Sequence, residues 1–271
     1  MDRKYIYPLV IIIVTVALYY ADDFLEKDDN STPQTSQVLT RNSEEFDTSF
    51  LPASTTGAIV KHNYFTLSYS ENHEQAEWVA YELAKSDLSK NEFERPYFIE
   101  DKKVKTKSAD WRNYKNSGYD RGHQCPAGDR RMSFEAYNET FLTSNISPQN
   151  HDFNAGIWNR LEQKIRFWAE KYDGVYVVTG GVLKGNMKTI GEENVSVPNE
   201  FYKIVVDVSV GNYKAVAFLI PNKPSSESFY EYAVSIDEVE AATGIDFFPK
   251  LPDSIENNLE EMVNLKVWGR K

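Results

Sequence analysis

Residues 117–133 read SGYDRGHQCPAGDRRMS, and residues 140–166 read TFLTSNISPQNHDFNAGIWNRLEQKIR. In the first stretch His123 follows Gly122 at what the pattern makes the end of a strand, with Arg121 before it and Arg130 and Arg131 after it. Histidine is the side chain best placed to take a proton from water near neutral pH. Its ordinary pKa, near 6.5, predicts that such a base fails below that pH. An adjacent arginine presents a fork of donors matched to phosphate oxygens, and a glycine lets backbone and substrate come close. Alone, a histidine beside an arginine is more often a packed surface pair. In the second stretch Ile157, Trp158, Leu161 and Ile165 recur at helical spacing, with Asn154 and Glu162 near two turns apart on a similar side. A neutral Asn oxygen backed by a carboxylate suits a cation that keeps most of its waters, as magnesium does. Spacing alone equally allows Asn154 as a helix cap and Glu162 as a surface charge.

Working outward, residues 64–69 (YFTLSY) alternate as a strand, and residues 75–85, with Trp78, Val79, Tyr81 and Leu83, are read as a helix. Residues 175–179 (VYVVT) followed by Gly180 and Gly181 read as a buried strand ending in a turn. Residues 201–210 and 213–220 are two β-rich runs around Gly211 and Asn212, a hairpin signal. Residues 228–242 read as helical turns ended by Gly244. The sum is an α+β fold on a largely antiparallel sheet flanked by helices.

The N-terminus carries a different signal. After Met1, Asp2, Arg3 and Lys4 comes an uncharged run, residues 5–20, followed by Asp22 and Asp23. The run falls between a signal-peptide centre and a full membrane span. Basic residues before it and acidic ones after it predict export of the chain beyond it. No small-x-small cleavage site stands at its end, which favours an uncleaved anchor over a cleaved signal. Residues 22–56 are polar and acidic and read as a flexible tether. Three parts result: 1–21 as anchor or signal, 22–56 as tether, and 57–271 as the globular domain, periplasmic or extracellular.

The net charge is −11, at first sight unfavourable to a polyanionic substrate. The acidity is confined to the ends. Residues 22–50 carry eight acids against two bases and residues 227–261 ten against one, whereas residues 110–172 carry nine bases against eight acids. A nucleic-acid partner is therefore not excluded, but must be held by local contacts. The single cysteine, Cys125, rules out an intrachain disulfide, and nothing beside it suggests an oxyanion hole for a thiol nucleophile.

The segments YDRGH, TFLTSNISPQ and FNAGIWNRLE resemble, in order and separation, the DNA/RNA non-specific endonuclease family, which includes mitochondrial endonuclease G and has the ββα-metal fold. EQAEWVAYEL, VVTGGVL, VPNEFYKIVVD and ATGIDFFPKLP fit its bacterial-type members. The resemblance spans residues 57–265, nearly the whole globular part. It implies His123 as general base, Asn154 as the direct magnesium ligand (manganese being an alternative ion), and Arg121 on phosphate or the transition state. It further implies Glu162 on a metal-bound water and Asn145 orienting the site. Arg130 and Arg131 are added as substrate contacts. Many relatives have a functional arginine ahead of the W-V-x-Y-E-L segment, where this chain has His73, Glu74 and Gln75.

The expected activity is hydrolysis of phosphodiester bonds in DNA and RNA to 5′-phosphate ends. A membrane-tethered nucleic-acid-binding module with little or no turnover is the alternative. The oligomeric state is left open, with a homodimer among the options.

Overall fold

The strands are β1 Ile59–Lys61, β2 Thr66–Ser70, β3 Gln75–Ala84, β4 Asp120–His123, β5 Ile146–Gln149, β6 Gly174–Gly181, β7 Lys188–Ile190, β8 Val195–Val197, β9 Glu200–Asp207, β10 Lys214–Pro221 and β11 Ala233–Val234. Seven of them form one sheet in the order β1-β2-β3-β6-β9-β10-β11, with every neighbouring pair antiparallel. The pairs β4-β5 and β7-β8 stand apart from it. The helices are α1 Phe134–Glu139, α2 Asn159–Lys171, α3 Ile236–Thr243 and α4 Asp253–Glu261. This computed structural model describes residues 48–208, 213–261 and 263–269, all within the unit Thr40–Lys271.

Both faces of the large sheet are covered. On one, Val79, Tyr81, Leu83, Val177, Val205 and Phe218 pack against Leu161, Ile165 and Trp168 of α2. On the other, Trp78, Ala80, Tyr176, Tyr202 and Ile204 pack with Phe50, Ile236, Val239, Phe247 and Phe248. Each fully buried side chain of this size contributes about 1.5–3 kcal/mol through removal from water.

This double coverage corrects one expectation. Residues 75–85 are not helical: β3 occupies Gln75–Ala84. Val79, Tyr81 and Leu83 enter one core while Trp78 and Ala80 enter the other, so a central strand buried on both sides loses the polar alternation that would mark it in sequence.

The other elements agree more closely. The run 64–69 overlaps β2, the VYVVT run is β6, and the two β-rich runs pair as β9 and β10; the Gly211-Asn212 turn lies outside the described residues. Helix α3 starts with a capping box on Ser235 and Glu238 and ends at Gly244 with φ 74°, the left-handed conformation glycine adopts without strain.

The packed domain includes residues before 57. Phe50 is buried and stacks on Tyr176 at 4.4 Å between centroids, and Trp78 Nε1 donates to the Ala53 carbonyl. Residues 48–56, assigned above to the tether, are therefore packed onto the domain. The apolar run 5–20 lies outside the described residues; among those described, no helix is long and apolar enough to cross a membrane.

Candidate active site

The two site stretches meet as strand, strand and helix. β4 pairs with β5 in the register Asp120–Gln149, Arg121–Pro148, Gly122–Ser147 and His123–Ile146, and the chain then enters α2. Gly122 is required here, because a Cβ on it would lie 2.2 Å from the Gln149 side chain. Under the pair sits a third apolar cluster, with Phe98, Tyr114, Phe141 and Ile146.

Between β5 and α2 the backbone does not form the continuous α-helix expected from residue 154. Residues Phe153–Trp158 make a π-helical turn, with Gly156 off helical geometry at φ −97°, ψ −108°. Such turns widen the helix and re-aim side chains. Asn154, inside this turn, donates from Nδ2 to Asp120 Oδ2 at 3.0 Å, and His151 Nδ1 lies 2.9 Å from the same oxygen. With its amide nitrogen committed to a carboxylate, Asn154 keeps Oδ1, an acceptor and a ligand atom for a cation, without a partner among the described residues. Asp120 and Asn154 both line a cleft of about 620 Å³ with Arg95, Trp111, Tyr114, Tyr119, Arg121 and His151. A carbonyl oxygen fixed this way, beside a carboxylate, fits a hydrated magnesium ion.

His123 is half-buried at the end of β4, with its ring 5.0 Å from Phe141 in an edge arrangement and 5.5 Å from Phe98. Its Nε2 is enclosed and has no hydrogen-bond partner among the described residues. Burial, and then the charges of Arg95 and Arg121, lower its pKa to about 3. The shift is downward, so the imidazole keeps its neutral form to lower pH than the ordinary value of about 6.5 expected above.

Two guanidiniums flank it. Arg121 lies over the Phe98 ring at 4.9 Å, and Arg95 sits 5.7 Å from both the Phe98 and Phe141 rings. Arg95 lines the cleft with Arg121, where His73, Glu74 and Gln75 do not. The second arginine comes from the loop after β3, in the segment ERPYF, where no regular element marked it in sequence.

Asn145 is wholly buried and does not line the cleft. Its Nδ2 donates to the carbonyls of Cys125 and Thr140, and its Oδ1 accepts from the Cys125 amide. It is a positioning residue that pins the chain just after His123.

Glu162 lies on α2 beside three charges. Burial pushes its pKa up to about 7, opposed by Lys203 and Arg166 and reinforced by Asp129. Lys203 is fully buried, over the Trp158 ring at 4.7 Å, and burial lowers its pKa against the pull of Glu162 and Asp129. Asp129 accepts from Tyr81 and Arg166. None of these partners was assigned from the sequence; only their chemical type was visible there.

Arg130 is a correction. It is 2% exposed, and Nη2 donates to the carbonyls of Tyr64 and Glu82. Nη1 donates to the Asp129 carbonyl, so the guanidinium ties β3 to the loops around it and is enclosed away from the cleft. Arg131 is half-buried and does not line the cleft.

Known proteins share the sequence pattern and the fold. The family model described as DNA/RNA non-specific endonuclease matches residues 42–254. The chain is 35% identical to the mitochondrial nuclease EXOG of Danio rerio over 68% of this chain and 59% of that protein. It is 32% identical to a nuclease of Nostoc over 74% and 77%, and 31% identical to mitochondrial endonuclease G of Caenorhabditis elegans over 82% of each. Against the EXOG relatives of four vertebrates the chain spans 44–59% of their length. Among solved structures, an EndoG/EndoGI inhibition complex superposes with TM-score 0.69 and 27% identity, covering 83% of this chain and 96% of that one. With the ββα unit carrying DRGH and the clamped Asn154, and a family match over most of its length, the chain belongs to the DNA/RNA non-specific endonucleases.

Proposed function

We propose that the protein is a magnesium-dependent endonuclease that hydrolyses phosphodiester bonds of both DNA and RNA, leaving 5′-phosphate and 3′-hydroxyl ends. The observation that carries this reading is a histidine under the charges of two guanidiniums, Arg95 and Arg121, which line one cleft with an Asp-clamped Asn154.

The residues divide the work. Arg95 and Arg121 bind the non-bridging phosphate oxygens, where a guanidinium's paired donors match the geometry. Trp111 and Phe98 brace Arg121 at 5.9 and 4.9 Å. With Nε2 enclosed, Nδ1 of His123 is the ring nitrogen that takes the proton of the attacking water. The phenyl rings of Phe98 and Phe141 hold that ring in place and keep it dry. Asp120 fixes Asn154, and Asn154 Oδ1 would hold the ion; Glu162, outside the cleft lining and beside Lys203, Asp129 and Arg166, would act on it only through water. When bound, magnesium supplies positive charge to the phosphate and the leaving 3′ oxygen. No ribose 2′-hydroxyl is used and no base edge is read, so both nucleic acids are substrates and sequence selectivity is low.

The test is plasmid DNA and ribosomal RNA incubated with the protein and millimolar magnesium, with and without chelator, alongside His123→Ala. Metal-dependent cutting of both substrates, lost in the variant, is expected. Retention of DNA on the protein without cleavage would instead establish a binding module. Export behind an N-terminal anchor is proposed with this function, supported by the basic start and the apolar run at 5–20. Protease accessibility of the domain in intact cells tests it.

A further inference from the structure

The buried turn Thr143–Asn145 is gripped from two sides. Toward the base, Asn145 holds the Cys125 backbone with its side chain and accepts from the Gln124 amide with its own carbonyl at 2.9 Å. On the other side, the two residues before it are held by the loop that follows Arg95. Ser144 Oγ donates to Asp101 Oδ2 at 2.6 Å, and the Thr143 hydroxyl lies 2.7 Å from that of Ser108, which accepts from the Asp101 amide. Asp101, Ser108, Thr143 and Ser144 are each at most 2% exposed.

The Asp101 carboxylate has a further partner. Its Oδ2 lies 2.8 Å from Nε2 of His62, in the turn between β1 and β2, and Nδ1 of the same ring faces Glu139 Oε1, at the end of α1, at 3.7 Å. The His62 side chain is 1% exposed. Glu139 is fixed in turn, accepting from the amides of Asn63 and Tyr64. A neutral imidazole carries one N–H and can turn a proton toward only one of these carboxylates, whereas the imidazolium turns one toward each. It also offsets two enclosed negative charges that would otherwise face no cation.

We propose that protonated His62, bridging Asp101 and Glu139, is a positioning residue for the phosphodiester cleavage proposed above, holding the Thr143–Asn145 turn and through it the chain beside His123. Neither His62, Asp101 nor Glu139 lines the cleft, so the bridge acts through the turn and touches no substrate. Burial by itself would push the His62 pKa down, but the contacts and charges of Asp101 and Glu139 outweigh it and hold the ring above its ordinary value. Against the same burial, His62 holds both carboxyls below theirs. The remaining charges beside the cluster point elsewhere. Lys103 Nζ donates to the Lys61 carbonyl, Glu100 pairs with Lys107, and Lys61 and Lys103 are exposed; the ring's apolar neighbour is Phe65, at 4.7 Å.

The sign is opposite to that of the base. A histidine whose folded value is raised contributes stability that is complete below about 6.5, its value in the unfolded chain, and lost as pH rises through the folded value. His123 stays neutral throughout that range, so an alkaline loss of activity would come from the bridge loosening the turn.

The test uses the full-length protein. Imidazole NMR shifts are followed with pH, and His62→Gln assigns the His62 ring among the four histidines. Plasmid cleavage at saturating magnesium is measured from about pH 6 to 9. The His62 ring should titrate above 6.5. Wild-type kcat should fall about tenfold as it does so, the scale of a small misplacement of the catalytic group, with KM unchanged. His62→Gln should show the lower kcat at every pH. Its Tm deficit against wild type should be largest below pH 6.5 and shrink by about 3–5 °C above the ring's titration. Ser144→Ala cuts the turn from the cluster and leaves the charged groups in place, a guard against a folding defect in the first variant. It too should give a low, flat kcat, with His62 still titrating above 6.5. A His62 ring that titrates at or below 6.5, or one kcat–pH profile shared by wild type and either variant, overturns the proposal. The positioning role rests on the nuclease reading of the cleft. A wild type that cuts at no pH would sink that reading, and the ring titration and the Tm difference would still decide whether the bridge exists.

Discussion

Asp120 accepts a hydrogen bond from the amide of Asn154 at 3.0 Å, joining the first residue of the DRGH strand to the π-helical turn. The carboxylate decides which end of the amide faces the cleft. Asp120→Ala should therefore weaken magnesium binding about 10- to 100-fold, as loss of a ligand's orienting partner does, without removing any ligand. Calorimetry with magnesium or manganese measures it, and unchanged affinity would show that Asn154 does not carry the ion. Asn154→Asp should bind the free ion more tightly yet turn over more slowly, because the added negative charge reduces the ion's effect on the developing oxyanion.

Arg95 and Arg121 share the Phe98 ring and both act on His123. Losing one charge-assisted phosphate contact, worth about 1.5–3 kcal/mol, should lower kcat/KM about 10- to 100-fold in either Arg→Ala variant. Each variant should also raise the His123 pKa, a change NMR detects. An Arg95→Ala enzyme with wild-type kcat/KM and an unmoved histidine would remove Arg95 from the site.

The pH dependence has a definite sign. His123 titrates at about 3 in the fold but near 6.5 in the unfolded chain. Below 6.5 the unfolded chain takes up the proton first, so this residue's contribution to stability is complete above 6.5 and declines as pH falls toward 3. The wild-type Tm should drop between pH 6.5 and 4 more steeply than that of His123→Asn. In the folded protein the imidazole NMR shifts should stay those of a neutral ring at pH 5; titration of the ring near 6.5 would contradict the enclosure described.

Arg130→Met should be a stability variant. It strands the carbonyls of Tyr64 and Glu82 at a cost of about 2–4 kcal/mol, lowering Tm by roughly 10 °C. KM for nucleic acid at a permissive temperature should not change. A raised KM with an intact Tm would return Arg130 to the substrate.

Removing residues 1–42 should leave a soluble, fully active protein, since Phe50 and the chain after it are packed onto the domain and the polar composition of residues 22–42 offers little apolar surface to the core. A truncated form that folds but fails to cut would give the N-terminal segment a role in the chemistry.

The strand–strand–helix unit was legible because its chemistry is local: DRGH, the TSN turn and the apolar face of α2 each declare themselves within a few residues. Strand β3 was not, because burial on both faces erased its period. Arg130 and Arg95 show the same limit in opposite directions. Arg130 stands near the histidine in sequence but spends its donors inside the protein, whereas Arg95, remote in sequence, is brought to the ring by the loop after β3.

Cys125, two residues after His123, is wholly buried, and burial lifts its thiol to about 12. At any pH where the protein works, its sulfur is a closed shell to alkylating reagents, oxidants and neighbouring chains. The molecule is thus a natural blank for thiol labelling. A single cysteine placed at an exposed position such as Phe167 would be the one site to take a fluorophore or spin label, and the motion of α2 beside the cleft could be followed with the native cysteine left in place.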